Sequence, residues 1–325
     1  MTQAQMAALY GSVADDMILV DDLLESVKQV ELAPLRLMLD HALDPRGKRL
    51  RPALVLLAGT FGDYNLNRLV PLGTAIELLH TASLVHDDVV DGATSRRGRP
   101  TANAVFDNAL TVLLGDFMFA NAAEMVTRTG SLSVTRLFAL ALMKMTSGEL
   151  DQDAAAFDVA RDVQHYLWRI GGKTAALFAN ATQGGATLAE CSEEEIEALR
   201  SFGYNLGMAF QIVDDILDFV GDEAELGKPV GSDLLEGTIT LPALFYLDSV
   251  GRENPVRRFL AAKRNREALL EEALMAITES TALESARSMA REFVDRAVAA
   301  LDPLGANDSR RTLEELGRYV LTRRS

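Results

Sequence analysis

Helix-forming residues at helical spacing run along almost the whole chain, and this pattern constrains the fold most. Residues 18–30 combine an apolar stripe with a charged one, and residues 69–91 repeat the pattern. The segment 193–220 opens with Ser192, and Glu195 follows three residues later, the spacing of a helix capping box. Alternating strand patterns are almost absent. The sequence therefore predicts an all-α fold of about ten or more helices.

Short clusters of helix-breaking residues separate these predicted helices. They occupy residues 44–47, 92–100, 128–133, 183–186 and 221–237. None of them resembles a flexible linker rich in serine and proline. We therefore expect one domain over residues 1–325, in which most connections are short.

The charge balance limits the partners that the chain can bind. Its 325 residues include 32 Lys+Arg and 47 Asp+Glu, which gives a formal net charge of −15. Such an acidic surface argues against sequence-independent binding of nucleic acid, which needs a basic face. It also disfavours an anionic substrate, unless metal ions or a local basic cluster intervene.

Cysteine content and hydropathy indicate an intracellular protein. The single cysteine, Cys191, excludes an intramolecular disulfide. No uninterrupted apolar run approaches the roughly 18 residues of a membrane span. The acidic N-terminal stretch lacks the basic and apolar regions of a signal peptide. We expect a cytoplasmic protein without a membrane span.

Two DDxxD segments, each at the end of an apolar helical stretch, are the most informative motifs. The carboxylates are Asp87, Asp88 and Asp91 in the first, and Asp214, Asp215 and Asp218 in the second. Residues four apart share a helix face, so like charges are concentrated there at a cost in stability. A charge run is usually a solvated helix face, but the apolar residues that flank both segments favour a cavity. Because Mg²⁺ binds carboxylates together with substrate phosphates, the motifs predict a diphosphate held through shared Mg²⁺.

Basic residues accompany the carboxylates. Residues 96–100 read RRGRP and follow the first cluster, and residues 47–52 read GKRLRP. Lys48 and Arg51 are three apart, share a helix face and lie near a helix N-terminus that favours anions. A basic run alone is usually surface, but its place beside a DDxxD segment favours a diphosphate site.

The GGKT sequence at residues 171–174 invites comparison with a P-loop. A Walker A motif needs a glycine where Leu167 stands, and no strand precedes the segment, so we reject that interpretation. Lys173 and Thr174 remain candidate phosphate ligands, and exposed helix residues are the alternative.

His80 and the His86-Asp87 pair allow a different enzyme class. Metal-dependent phosphohydrolases use a similar H…HD pattern, with further ligands on other helices. Such a site leaves the second DDxxD segment and both basic clusters without a role. His80 lies about two helical turns before Asp87, which keeps it near the same cavity.

Taken in order, these segments resemble the trans-isoprenyl (polyprenyl) diphosphate synthases over nearly the whole chain. The matching segments are GKRLRP, HTASLVHDDVVDGATSRRGRPTAN, GKTAALF and FQIVDDILDFVGDEAELGKPVGSDLLEGTITLP. The resemblance implies an all-α bundle around a central cavity, a homodimer, and Mg²⁺ between facing DDxxD motifs. The implied substrates are isopentenyl diphosphate and an allylic diphosphate.

The resemblance also assigns roles to particular positions. Direct metal ligands are Asp87, Asp91 and Asp214, while Asp88, Asp215 and Asp218 complete the clusters directly or through water. The allylic diphosphate is bound by Arg96, Lys173, Thr174, Gln211 and Lys228. Isopentenyl diphosphate is bound by Lys48, Arg51, His80 and Arg97. The C-terminal RYVLTRRS is similar to a basic tail that closes over this second site.

Small residues before the first cluster predict the product length. Ala82 and Ser83 lie roughly 6–8 Å along the helix from Asp87, at 1.5 Å per residue. Short-chain members of the family are similar in carrying an aromatic residue there, so Ala and Ser predict a hexaprenyl to decaprenyl product for a quinone side chain. The floor of the pocket is expected on the next helix, where ordinary core is the alternative, at Leu113, Leu114, Phe117 and Met118.

Other functions stay open at this point. They are a medium-chain farnesyl or geranylgeranyl diphosphate synthase, the catalytic subunit of a heteromeric synthase, and a class I terpene cyclase. A cyclase lacks the two basic sets that bind a second diphosphate, and a regulatory subunit would carry degraded aspartate motifs.

Overall fold

Helices make up most of the structure, a computed structural model that describes residues 9–43, 47–96, 98–221, 229–262 and 264–323. The first part contains α1 (Met17–Ser26), α2 (Ala33–Ala42), α3 (Leu50–Gly59), α4 (Leu66–Val90), α5 (Ala102–Phe106), α6 (Asn108–Arg128), α7 (Leu132–Ala154) and α8 (Val163–Ile170). A 3₁₀ turn, Gly11–Val13, precedes α1, and a π-helical turn, Gly171–Ala175, joins α8 to α9 (Ala176–Leu188). The later helices are α10 (Glu193–Val220), α11 (Ser232–Glu236), α12 (Leu241–Ser249), α13 (Pro255–Ala261), α14 (Arg266–Thr278), α15 (Ala282–Ala300) and α16 (Asp308–Thr322).

The predicted all-α fold is confirmed, with one small addition. Strands β1 (Ser95–Arg96) and β2 (Arg99–Pro100) form an antiparallel hairpin within the loop that follows α4. This hairpin is the only sheet in the described residues. It matters to the site because it turns the chain back toward the end of α4.

Helix α9 lies in the middle of the core, where it packs against α3, α4, α7 and α10. The break predicted at 183–186 is wrong, because these residues lie inside α9. A Cβ atom at Gly184 would lie 2.8 Å from Leu72 Cδ2, and one at Gly185 would overlap the carbonyl oxygen of Val55. The two glycines therefore serve close helix packing, which outweighs their poor helix propensity.

Helix α10 begins at the predicted capping box and carries the second DDxxD segment near its end. The Glu195 amide donates to Ser192 Oγ at 3.3 Å, and the Ser192 amide donates to Glu195 Oε2 at 2.9 Å. This reciprocal pair satisfies two backbone donors at the helix start and fixes where the helix begins. The helix then runs without interruption to Val220.

Helix α4 carries the first DDxxD segment in its last turns and packs along α6. The His86 imidazole turns toward α6, with Nε2 3.0 Å from the carbonyl oxygen of Val112. His86 therefore joins α4 to α6.

Among the described helices, only α6 is long and apolar enough to cross a membrane, judged by length and composition. Polar residues interrupt the apolar run of this helix, so the sequence predicts no such segment. One side of α6 packs on α4 through the buried residues Leu114 and Met118. The other side is exposed at Leu110 and Leu113.

Candidate active site

The first DDxxD segment presents its carboxylates at the end of α4. Asp87 is half-buried and Asp91, one turn later, is exposed. Burial raises the pKa of Asp87 to about 7, and the nearby Glu149 carboxylate adds to the rise while Lys173 and Arg96 oppose it. Burial also raises the pKa of Asp91. Excess negative charge is therefore concentrated here, and a cation would relieve it.

Asp88 points into the protein and anchors the basic loop. Its Oδ1 accepts a hydrogen bond of 2.6 Å from Arg96 Nε, and the side chain of Asn103 donates to the Asp88 carbonyl oxygen at 3.2 Å. These bonds fold the β1–β2 hairpin back against α4, so Arg96 lies beside the carboxylates as the sequence predicts. Arg97 lies outside the described residues.

The π-helical turn brings Lys173 to the first cluster. A Cβ atom at Gly148 of α7 would lie 2.8 Å from the Lys173 backbone nitrogen, so glycine permits the close approach of α7 to the turn. Lys173 Nζ then lies 2.7 Å from Glu149 Oε2. The P-loop is absent, as expected, because a helical turn replaces the strand and loop. Sequence reasoning missed Glu149, although its acidic neighbourhood SGELDQD lies on a helix next to the GKT segment.

The carboxylates of the second DDxxD segment differ in accessibility. Asp214 is the accessible member, and its carboxylate pairs with the guanidinium of Arg323 from the C-terminus. Asp215 and Asp218 are 3% and 1% exposed. Asp218 accepts from Ser232 Oγ at 2.9 Å and from the Asp233 amide at 3.2 Å. Asp214 is therefore the member of this segment placed to meet a metal ion.

Asp215 belongs to a buried chain of hydrogen bonds. Its Oδ2 accepts from the Tyr166 hydroxyl at 2.5 Å, and its Oδ1 accepts from Gln211 Nε2 at 2.9 Å. Gln211 Oε1 in turn accepts from Thr174 Oγ1 at 2.5 Å. Burial raises the pKa of Asp215 to about 7. Lys173 therefore lies at the first carboxylate cluster, and its neighbour Thr174 is linked to the second.

A stack of charged and aromatic groups connects the N-terminal basic motif to the C-terminus. The Arg51 guanidinium lies 4.7 Å from the centre of the Phe178 ring, which meets the Phe210 ring at 5.2 Å. Arg323 lies 3.8 Å from the centre of the Phe210 ring and donates to the Phe210 carbonyl oxygen at 2.8 Å. Arg51 and Arg323, far apart in sequence, thus lie at opposite ends of one aromatic pair, and Arg323 contacts Asp214.

Arg49 organises the rest of the GKRLRP motif. It has a left-handed backbone, with φ of 49°, at the start of α3. Its side chain is buried and donates to Glu77 Oε1 at 2.9 Å and to Asp21 Oδ1 at 3.2 Å. Two neighbours of this pair are half-buried: Lys48, which precedes Arg49, and His80, one turn after Glu77. Lys228 lies outside the described residues.

The donor set fits a metal ion shared with a bound anion. Within the described residues, no three His, Cys, Asp or Glu side chains lie close enough to hold a metal by themselves. Mg²⁺ is usually held by one or two carboxylates and completed by substrate phosphates and water. Few carboxylates are available to such an ion, namely Asp87, Asp91 and Asp214, and all three are at least partly accessible. This arrangement fits a metal ion completed by substrate phosphates better than one enclosed by protein ligands alone.

The residues expected to control chain length differ in accessibility. Ala82 is fully buried, whereas Ser83 is half-buried and lies one turn before Asp87 on the same helix face. Ser83 Oγ donates to the His80 carbonyl oxygen at 2.8 Å. Of the expected floor residues, Leu114 and Met118 are buried, Phe117 is partly buried and Leu113 is exposed.

Together, the all-helical fold and the paired carboxylate and basic clusters are typical of an enzyme that acts on diphosphate substrates. The family model described as polyprenyl synthetase matches residues 33–277. Heptaprenyl diphosphate synthase component 2 of Geobacillus stearothermophilus is 39% identical, over 97% of this chain and 98% of that protein. Octaprenyl diphosphate synthase of Escherichia coli (strain K12) is 40% identical, over 85% and 86% of the two chains.

Solved structures agree with the sequence relatives. A polyprenyl synthase from Caulobacter crescentus CB15, complexed with calcium and isoprenyl diphosphate, has a TM-score of 0.93 and 36% identity, covering 100% of this chain and 98% of that one. A decaprenyl diphosphate synthase from Rhodobacter capsulatus has a TM-score of 0.91 and 36% identity, covering 100% of both chains. The chain therefore belongs to the polyprenyl synthetase family and is a prenyltransferase, which decides against the phosphohydrolase and the terpene cyclase.

Proposed function

We propose that this enzyme condenses isopentenyl diphosphate with an allylic diphosphate, in a Mg²⁺-dependent reaction, and makes a long-chain all-trans polyprenyl diphosphate. One observation carries the proposal: the π-helical turn joins both carboxylate clusters. Lys173 Nζ meets Glu149 beside Asp87 and Asp91, while Thr174 reaches the second cluster through Gln211. A diphosphate at this turn would be held between the two DDxxD segments.

The metal in this proposal is Mg²⁺, bound by Asp87, Asp91 and Asp214. The Caulobacter neighbour, crystallised with calcium and an isoprenyl diphosphate, supports a divalent ion beside a diphosphate. When bound, Mg²⁺ supplies positive charge where the leaving diphosphate becomes more negative. Asp88, Asp215 and Asp218 are buried, and we propose that they hold the helices and neighbouring donors in place.

Basic side chains of the protein do the remaining work on the allylic diphosphate. Arg96 and Lys173 provide positive charge, and the Thr174 hydroxyl, which donates to Gln211 Oε1, holds that amide beside them. The Gln211 carbonyl oxygen faces the same place and can stabilise the allylic cation that forms when the C–O bond breaks. Buried apolar residues around α9 exclude water, which would otherwise quench that cation.

A second group of basic side chains, which includes Arg51 and Arg323, is available for a second diphosphate. The Phe178–Phe210 pair connects Arg51 to Arg323, and Lys48 and His80 lie close in sequence to Arg49 and Glu77. We propose that this basic group binds isopentenyl diphosphate. Its double bond then attacks the allylic cation, and the departing diphosphate is the group best placed to accept the proton.

Product length gives a direct test of the proposed growth path. We expect Ser83→Phe to shorten the main product, because a ring there enters the face of α4 that carries Asp87. Ser83→Ala is the matched control and should leave the product length unchanged. Chromatography of the dephosphorylated products measures the effect, and an unchanged length in Ser83→Phe would contradict the path. Ala82→Phe is a poorer probe, since overpacking a fully buried position costs about 1–3 kcal/mol of stability.

We propose a homodimer that covers the apolar outer faces of α6 and α7. Leu113 of α6 and Leu140, Met143 and Leu150 of α7 are exposed. A second copy would bury these side chains, because several exposed large apolar residues are typical of an interface rather than of a free surface.

A heteromer is the second candidate, because the Geobacillus stearothermophilus and Bacillus subtilis relatives are each named component 2 of a heptaprenyl diphosphate synthase. Light scattering on the purified chain and an assay of the same fraction separate the two. A dimeric, active fraction supports the homodimer, and an inactive monomer supports the heteromer.

A further inference from the structure

Tyr166 is the most completely buried polar side chain that touches the second carboxylate cluster without being part of a motif. It lies in α8, is 1% exposed and is one of the largest fully buried side chains. The Arg169 guanidinium lies 5.5 Å from the centre of its ring. The ring is therefore held in place, and the hydroxyl has a fixed position.

The hydroxyl has one clear hydrogen-bond partner. It donates to Asp215 Oδ2 at 2.5 Å, across 49 residues of sequence. When Asp215 is ionised, this is one of the stronger kinds of hydrogen bond. Asp215 is a buried carboxylate, so the loss of a donor would be costly.

The same carboxylate determines the orientation of Gln211. An ionised Asp215 only accepts hydrogen bonds, and the Gln211 amide accordingly turns its NH₂ group toward Oδ1, at 2.9 Å. The Gln211 carbonyl oxygen then faces Thr174, whose hydroxyl donates to it at 2.5 Å. A flipped amide would present NH₂ to the diphosphate site and its carbonyl oxygen to a carboxylate.

We infer that Tyr166 is a positioning residue whose hydroxyl, by holding Asp215, keeps the Gln211 carbonyl oxygen directed toward Thr174 and the allylic diphosphate. The inference rests on the proposed function, in which the Gln211 carbonyl oxygen stabilises the allylic cation. Tyr166 itself touches neither substrate nor metal in this scheme. Its effect reaches the reaction through two hydrogen bonds.

The test is Tyr166→Phe, which removes one oxygen atom and keeps the ring. We expect the single-turnover rate of the first condensation, with enzyme in excess, to fall about ten- to a hundredfold, the effect of one hydrogen bond to a charged group. The allylic diphosphate concentration that gives half the maximal rate should change less than about threefold, because Gln211 acts on charge that appears after binding.

Tyr10→Phe is the matched control. Tyr10 is also buried, at 3% exposure, and its hydroxyl has no hydrogen-bond partner within the described residues. Its loss should leave the rate unchanged. If Tyr166→Phe matches Tyr10→Phe in rate, or does not fold, the positioning role is wrong.

A second readout needs no substrate or metal. Urea unfolding of metal-free Tyr166→Phe, Thr174→Val and the double variant tests whether the two hydroxyls belong to one chain of bonds. We expect the shifts in midpoint not to add, as for residues in one network. Additive shifts would overturn the inference. Failure of the proposed function would appear instead as an inactive wild-type protein.

Discussion

Asp87→Asn is expected to lower the rate of condensation by roughly a thousandfold, because metal-ion stabilisation of developing charge contributes several kcal/mol and each 1.36 kcal/mol is a factor of ten. Asn keeps the size of the side chain and an oxygen ligand but removes the charge. Asp87 lies near the carboxylates of Asp91 and Glu149, and Lys173 only partly offsets their charge. Initial rates with labelled isopentenyl diphosphate, measured over a range of Mg²⁺ concentrations, check the prediction.

Asp22→Asn provides the matched control for Asp87→Asn. Asp22 is an exposed carboxylate of α1, so the same chemical change there should leave the rate unchanged. Circular dichroism confirms that both variants fold. An Asp87→Asn protein that retained wild-type activity would show that this carboxylate does not hold the metal.

Arg49→Ala is expected to lower the free energy of unfolding by about 3–5 kcal/mol, the usual cost of removing one partner of a buried ion pair. Arg49 and Glu77 have side chains only 9% and 8% exposed and lie 2.9 Å apart. Without Arg49, the Glu77 carboxylate stays buried without its main counter-charge. Urea unfolding at matched protein concentration measures the loss.

Two comparisons separate burial from charge in the Arg49 experiment. Arg128→Ala removes an exposed partner of Glu124 and should cost less than about 1 kcal/mol. The double variant Arg49→Met with Glu77→Leu removes both charges and should be less destabilised than Arg49→Ala. If Arg49→Ala and Arg128→Ala cost the same, the buried pair does not stabilise the protein as described.

Local patterns predicted much of the fold, because they act over short stretches of chain. The capping box at Ser192 and Glu195 depends on residues three apart, and the structure contains it. The helix break predicted at Gly184 and Gly185 is wrong for a physical reason. Their role depends on Leu72 and Val55, which lie on other helices and cannot be identified from the glycines themselves.

The site shows the same division between local and distant information. The sequence identified the six aspartates, but not that Asp215 and Asp218 are buried while Asp214 faces Arg323. Glu149 and Tyr166 lie in segments without a motif. Their importance comes from contacts with Lys173 and Asp215, which only the packed structure brings together.

The most direct test of this account is the product of the purified chain alone. Incubation with Mg²⁺, labelled isopentenyl diphosphate and either geranyl or farnesyl diphosphate, followed by dephosphorylation and chromatography, measures the chain length. We expect all-trans products from hexaprenyl to decaprenyl, formed only when a divalent metal is present. Products that stop at farnesyl or geranylgeranyl length, or no condensation by this chain alone, would contradict it.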